Sequence, residues 1–140
     1  MILSPHANSL QGVIIIEISA DQLQQLRKIA SSFDNFYCVE CAQALKNYLI
    51  NQGIPGKRIK LYTGAGEDDR NNFIYADNLP VEVISENGRH EGITIVINEE
   101  EVVLDNHHPD GVPRDVWMAN LQFFGKIHLG QEFQVTEEAF

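Results

Sequence analysis

The stretch Asp34–Gly53, DNFYCVECAQALKNYLINQG, constrains this chain more than any other and holds both of its cysteines, Cys38 and Cys41. At about 100° per residue, Cys38, Cys41, Ala42, Leu45, Tyr48 and Leu49 fall on one stripe, so the spacing predicts a helix that lays both thiols against a core. Asp34 and Asn35 offer N-caps, Gly53 suits the residue just past a helix end, and Pro55 forbids continuation. A thiol in the first turn of a helix meets unpaired N–H groups and the positive end of the dipole, and both stabilise a thiolate. With the cap at Asp34 or Asn35, Cys38 lies in that favoured turn and Cys41 one turn deeper, its N–H committed to the helix ladder. A later helix start would favour Cys41 instead.

A nucleophilic thiol needs a base. Gly88-Arg89-His90-Glu91-Gly92 opens a predicted strand in which Ile93, Ile95 and Ile97 alternate inward, and a second strand, Val102–Asp105, follows a turn at Glu99-Glu100-Glu101. Asn87-Gly88 is a strong hairpin signal that delivers His90 to the start of its strand. Antiparallel neighbours bring the start of one strand beside the end of the next, so His90 and Asp105 can share one edge. In such a site the imidazole takes the thiol proton, the thiolate attacks a carbonyl, and the imidazolium protonates the departing amine. Asp105 would orient the imidazole, with Asn106 the first substitute for that role. Asn35 reads either as an N-cap or as a second oxyanion donor beside the cysteine N–H.

The rest of the chain supplies scaffolding. Val13–Ile18 reads as a buried strand, Asp21–Ser31 as an amphipathic helix and Lys57–Thr63 as a half-buried strand. Met1–Leu10 has no periodicity, and Gly64–Asn72 is a polar loop whose Gly-Ala-Gly lacks the Lys and Ser/Thr of a phosphate loop. A turn at Asp77-Asn78 precedes a strand over Val81–Ile84. Asn106–Gly111 reads as a tight loop, and Pro113 opens a helix with Val116, Trp117, Leu121 and Phe124 among its apolar positions. Phe133 and Val135 mark a last strand or a loose tail. At 140 residues the chain is expected to be one α+β domain, 1–140, with an N-terminal strand and helix in 1–32, a catalytic core in 33–124 and a strand or tail in 125–140.

Twenty acidic residues against ten basic ones give a net charge of −10, which repels a nucleic-acid backbone. No apolar stretch approaches the roughly 20 residues of a membrane span and no signal-peptide pattern opens the chain, so a soluble, cytoplasmic protein is expected. Two cysteines three positions apart cannot build a disulfide framework. Two other classes compete with a hydrolase. One is a structural zinc module, Cys38 and Cys41 completed by His107 and His108 or by Asp105 and Asp110. A Cys pair on a regular helix and adjacent histidines that point apart support it poorly, so neither metal nor cofactor is expected. The other is a non-catalytic partner-binding domain.

Taken together, Tyr37–Ala42, Gly53–Thr63, Asn87–Ile93 and Asp105–Gly111 resemble the second family of papain-fold toxin domains of bacterial polymorphic toxin systems, over about Phe33–Leu121. The resemblance implies a papain-like cysteine hydrolase fold, the cysteine-bearing helix packed on an antiparallel sheet, with Cys38, His90 and Asp105 aligned with nucleophile, base and orienting residue. It implies action on peptide or amide bonds as a peptidase or protein deamidase, a protein or peptide substrate, and an immunity protein as partner. The cysteine motif departs from papain in lacking its Gly-rich, Trp-following signature, which leaves the choice between Cys38 and Cys41 open.

Overall fold

The computed structural model describes residues 8–10, 13–15, 17–77 and 82–140. β1 (Asn8–Leu10) and β2 (Val13–Ile15) form an antiparallel pair, so a strand occupies part of the stretch without periodicity. The expected burial of Val13–Ile16, the turn at Asp77-Asn78 and the start of a strand at Val81 lie outside the described residues or side chains.

α1 (Ala20–Ser31) opens on a capping box in which Ser19 Oγ accepts from Gln22 N–H at 3.1 Å and Gln22 Oε1 accepts from Ser19 N–H at 2.9 Å. α2 (Cys38–Asn51) starts at Cys38 and not at Asp34. The reason is local. Asp34-Asn35-Phe36-Tyr37 folds as a β-turn closed by Tyr37 N–H to Asp34 O at 3.2 Å, and Phe36 has φ +75°, which an α-helix cannot accept. The expected C-terminus is close: Gly53 (φ +70°) follows the last turn, and the bonds Gly53 N–H to Ile50 O and Ile54 N–H to Leu49 O make a Schellman cap. Cys38, Cys41, Ala42, Leu45 and Leu49 are buried as the stripe predicts.

β3 (Lys57–Tyr62), β6 (Arg89–Ile97), β7 (Glu100–Asp105), β8 (His108–Pro113) and β10 (Gln134–Ala139) form a five-stranded antiparallel sheet in the order β10-β3-β6-β7-β8. β8 occupies most of the segment expected as a loop. Its Pro109 and Pro113 lack the N–H a central strand needs, yet β8 lies at a sheet edge, where a missing N–H can face away from the ladder. The C-terminal segment is the strand of the two alternatives.

β4 (Ile74–Ala76), β5 (Glu82–Ser85) and β9 (Leu121–Gln122) form a second sheet, ordered β5-β4-β9. The expected hairpin at Asn87-Gly88 is therefore absent: β5 pairs with β4, and β6 pairs with β3 and β7. Gly88 (φ +71°) bonds Asn72 O and Thr63 N–H instead, so this turn carries the chain from one sheet to the other. The helix after Pro113 is short. α3 (Arg114–Asn120) ends before Leu121, which joins β9, and Phe124 opens α4 (Phe124–Leu129).

Both faces of the inner part of the large sheet are covered, while β10 is exposed. Ile93, Ile95, Val102 and Leu104 pack with Leu26, Cys41, Leu45 and Leu49 of α1 and α2. Ile59, Leu61 and Val103 pack with Trp117, Leu121 and Phe123. The period of two along β7 divides Val102 and Leu104 from Val103, as a strand buried on both faces requires. Arg58 ties α2 to the sheet from a buried position, bonding Glu91 at 2.6 Å, Gln43 at 2.8 Å and Val39 O at 3.3 Å. Among the described residues, no helix is long and apolar enough to cross a membrane.

Candidate active site

His90 is the second residue of β6 and Asp105 the last of β7. The ladder pairs Ile93 with Leu104, so the two-residue period sets His90 and Asp105 on a common face, diagonal to each other. Their side chains meet: His90 Nε2 donates to Asp105 Oδ2 at 2.8 Å, with both residues buried.

Asp105 is saturated. Trp117 Nε1–H also donates to Oδ2 at 2.8 Å, while His108 Nδ1 at 2.8 Å and the His107 backbone N–H at 2.9 Å donate to Oδ1. Burial by itself would raise the carboxyl pKa, but the bonds from His108 and His90 overcome it and hold Asp105 well below the usual carboxylate range. Gly92 makes room for this arrangement, because a Cβ there would lie 2.8 Å from Val103 Cγ1 and 3.3 Å from Trp117 Cζ2.

Cys38 is the first helical residue of α2, so its N–H precedes the first ladder bond, Cys41 N–H to Tyr37 O at 3.0 Å. It lines a cleft of about 390 Å³ with Phe36, Val39, Ile84, Arg89 and Glu91. His90 Nδ1, the ring nitrogen left over from the Asp105 bond, is buried without a formed hydrogen bond. The Cys38 thiol is the neighbour that acts on this imidazole. Burial opposes the imidazolium, but Asp105 and then Cys38 outweigh it and lift the His90 pKa from 6.5 to about 9. Cys38 is thus near enough to act on the His90 imidazole, whose Nδ1 forms no hydrogen bond.

Cys41 lies one turn deeper and is fully buried. Burial first, then the nearby charges of Asp105 and Cys38, push its thiol up to about 12.

Asn35 does not cap α2. Its Oδ1 accepts from Phe36 N–H at 3.1 Å and from His107 Nε2 at 3.0 Å, and its Nδ2 donates to Val83 O at 2.8 Å. Asn106 Nδ2 donates to Asp34 O at 2.9 Å, while its Oδ1 is buried without a partner. Both asparagines therefore pin the turn before Cys38 to the rest of the fold. Burial lowers the His107 pKa, consistent with a neutral ring that donates to Asn35.

The His and Asp residues of the zinc alternative are engaged in other bonds. His107 and His108 serve different partners, Asp110 is exposed and paired with Arg27, and among the described residues no group of three or more His, Cys, Asp or Glu side chains is arranged to hold a metal. Two contributors were missed from the sequence. His108 was read only as a zinc ligand, although a two-residue turn after Asp105 would have set it opposite that residue, as the register does. Trp117 was read as an apolar helix position, and no local signal says that its N–H reaches Asp105.

A thiol at the start of a helix packed on an antiparallel sheet, beside an imidazole and a carboxylate bonded across adjacent strands, defines the papain-like class of α+β domains. Residues 21–122 match the family model described as Papain fold toxin 2, and the chain belongs to that family. The match extends the resemblance expected over Phe33–Leu121 back through most of α1 and includes Cys38, His90, Asp105 and Trp117. No curated protein and no solved structure matches the chain.

Proposed function

We propose that this papain-fold toxin domain is a cysteine hydrolase acting on amide bonds of proteins or peptides, with Cys38 as nucleophile, His90 as base and then acid, and Asp105 as the residue that orients His90. The observation that carries the reading is the division of labour on one imidazole: Nε2 is fixed on a carboxylate with four donors, and Nδ1 is left for the thiol.

In the first half-reaction the proton of Cys38 passes to Nδ1 and the sulfur adds to the amide carbon. The C–N bond then breaks, with the same proton leaving on the amine or on ammonia. His90 next takes a proton from water, whose oxygen displaces the sulfur from the thioester and releases the acid. The N–H of Cys38 is placed to donate to the oxyanion. Asn35, its amide nitrogen bonded to Val83 O, serves here by holding the turn. Peptide cleavage and glutamine deamidation share this chemistry and differ in which amide enters the cleft. In this reading an immunity protein acts by covering the cleft.

Alkylation with limiting iodoacetamide at mildly acidic pH, followed by peptide mapping, tests the assignment. Cys38 is expected to be modified first, because the buried Cys41 keeps its proton, and His90→Ala to slow the Cys38 reaction. Faster labelling of Cys41, or a Cys38 rate indifferent to His90, would overturn it.

A further inference from the structure

Phe36 stands two residues before Cys38 with φ +75° and is 51% exposed. It holds the third position of its turn, where a positive φ is normally supplied by glycine or asparagine. A bulky aromatic residue there is a backbone outlier, and such outliers persist where surrounding bonds over-determine them. Those bonds are present: Asn35 receives the Phe36 N–H and is itself held by Val83 O and His107, and Asn106 holds Asp34 O. The fold thus retains an unfavourable backbone and turns a large apolar ring outward at the mouth of the Cys38 cleft.

Across this cleft the polar wall, apart from the exposed Glu86, is matched within the protein. Glu91 is bonded to Arg58 at 2.6 Å, Arg89 stacks 4.0 Å above the Tyr62 ring, and Ser85 Oγ and Asn87 Oδ1 bond each other at 2.9 Å. Besides Glu86, the apolar wall is open to a substrate: Phe36 and Val39 are half-exposed, with the buried Ile84 behind them.

We propose that Phe36 determines substrate specificity: its ring, with Val39 and Ile84, receives an apolar side chain of the polypeptide beside the amide that Cys38 attacks. The inference rests on the nucleophile assignment above and adds the class of chain that enters, one with an aliphatic or aromatic residue next to the reacting carbonyl. Phe36 acts by contact with substrate and not through the thiol.

Phe36→Gly separates this role from a structural one, because glycine removes the ring and suits the positive φ. The probes are two acyloxymethyl ketone dipeptides that differ only in leucine or glycine beside the warhead, with iodoacetamide as a measure of the thiol itself. The wild type is expected to react with the leucine probe at least about tenfold faster than with the glycine probe, the scale of a filled apolar pocket. Phe36→Gly should lose that preference while keeping its iodoacetamide rate and a melting temperature no lower than the wild type. A preference retained in Phe36→Gly, or absent from the wild type, would overturn the proposal. A fall in the iodoacetamide rate of the variant would overturn it too, by showing that Phe36 works through the nucleophile. Slow iodoacetamide labelling of wild-type Cys38 would instead sink the nucleophile assignment, and this inference with it.

Discussion

Asp105 accepts two bonds on each carboxylate oxygen while only 1% exposed, so no isostere can stand in for it. Asp105→Asn turns an NH2 toward two donors whichever way the amide is set. It is therefore expected to lose activity about as far as Asp105→Ala, on the order of 10⁴-fold in turnover, and to unfold at lower denaturant. An Asn variant with near-wild-type turnover would mean that orientation alone matters. His90 sets the alkaline limit. Its folded pKa, about 9, exceeds the ordinary 6.5, so the stability it contributes is full below 6.5 and disappears as pH rises through 9. Asp105 runs the other way, contributing above the ordinary carboxylate range and failing as acid protonates it. Urea unfolding across pH should show the alkaline fall in the wild type and a smaller one in Asp105→Ala, which removes the main support of the imidazolium. At Phe36 the left-handed backbone costs about 1 kcal/mol, and Phe36→Gly should return a comparable amount in the same assay.

At the scale of elements, the position of Cys38 depends on how α2 is clamped. Arg58 is 8% exposed and bonds β6 through Glu91 and α2 through Gln43 and Val39 O. Arg58→Met leaves Glu91 charged without its partner and should lower stability by about 3–5 kcal/mol, whereas adding Glu91→Leu should recover most of it. Urea midpoints of the two variants decide this. The contact between β6 and α3 is tested at Gly92, where a methyl group meets Val103 and Trp117. Gly92→Ala should shift the fluorescence of Trp117, the only tryptophan of the chain, and slow alkylation of Cys38 by loosening Asp105. Unchanged emission would mean that the indole does not sit over β6. The helix-scale expectations were legible where periodicity and punctuation agreed: the apolar stripe and the Gly53 cap of α2 follow from spacing and from a residue suited to positive φ. The start of α2 was not, since Asp34 and Asn35 are good caps by type while Phe36 adopts a turn that propensity disfavours.

For the whole molecule, the two clusters lie on opposite faces of one sheet and share its strands, so they are expected to unfold together. Trp117 fluorescence belongs to one face and far-UV circular dichroism is dominated by the longer helices α1 and α2 on the other, and their urea transitions should coincide. Separated midpoints would show two cooperative units. The α+β class, the amphipathic helices and the inward Ile93 and Ile95 of β6 are legible in the sequence alone, which also singles out Cys38, His90 and Asp105 as candidates. Those features follow from side-chain period and from the few residue types able to do thiol chemistry. Only the tertiary structure decided that Asn87-Gly88 links two sheets, that β8 is an edge strand despite its prolines, and that Trp117 and His108 close around Asp105. Strand partners and buried hydrogen bonds join residues far apart in sequence, and what selects them is burial of both sheet faces with most enclosed polar groups matched, a condition no local window contains.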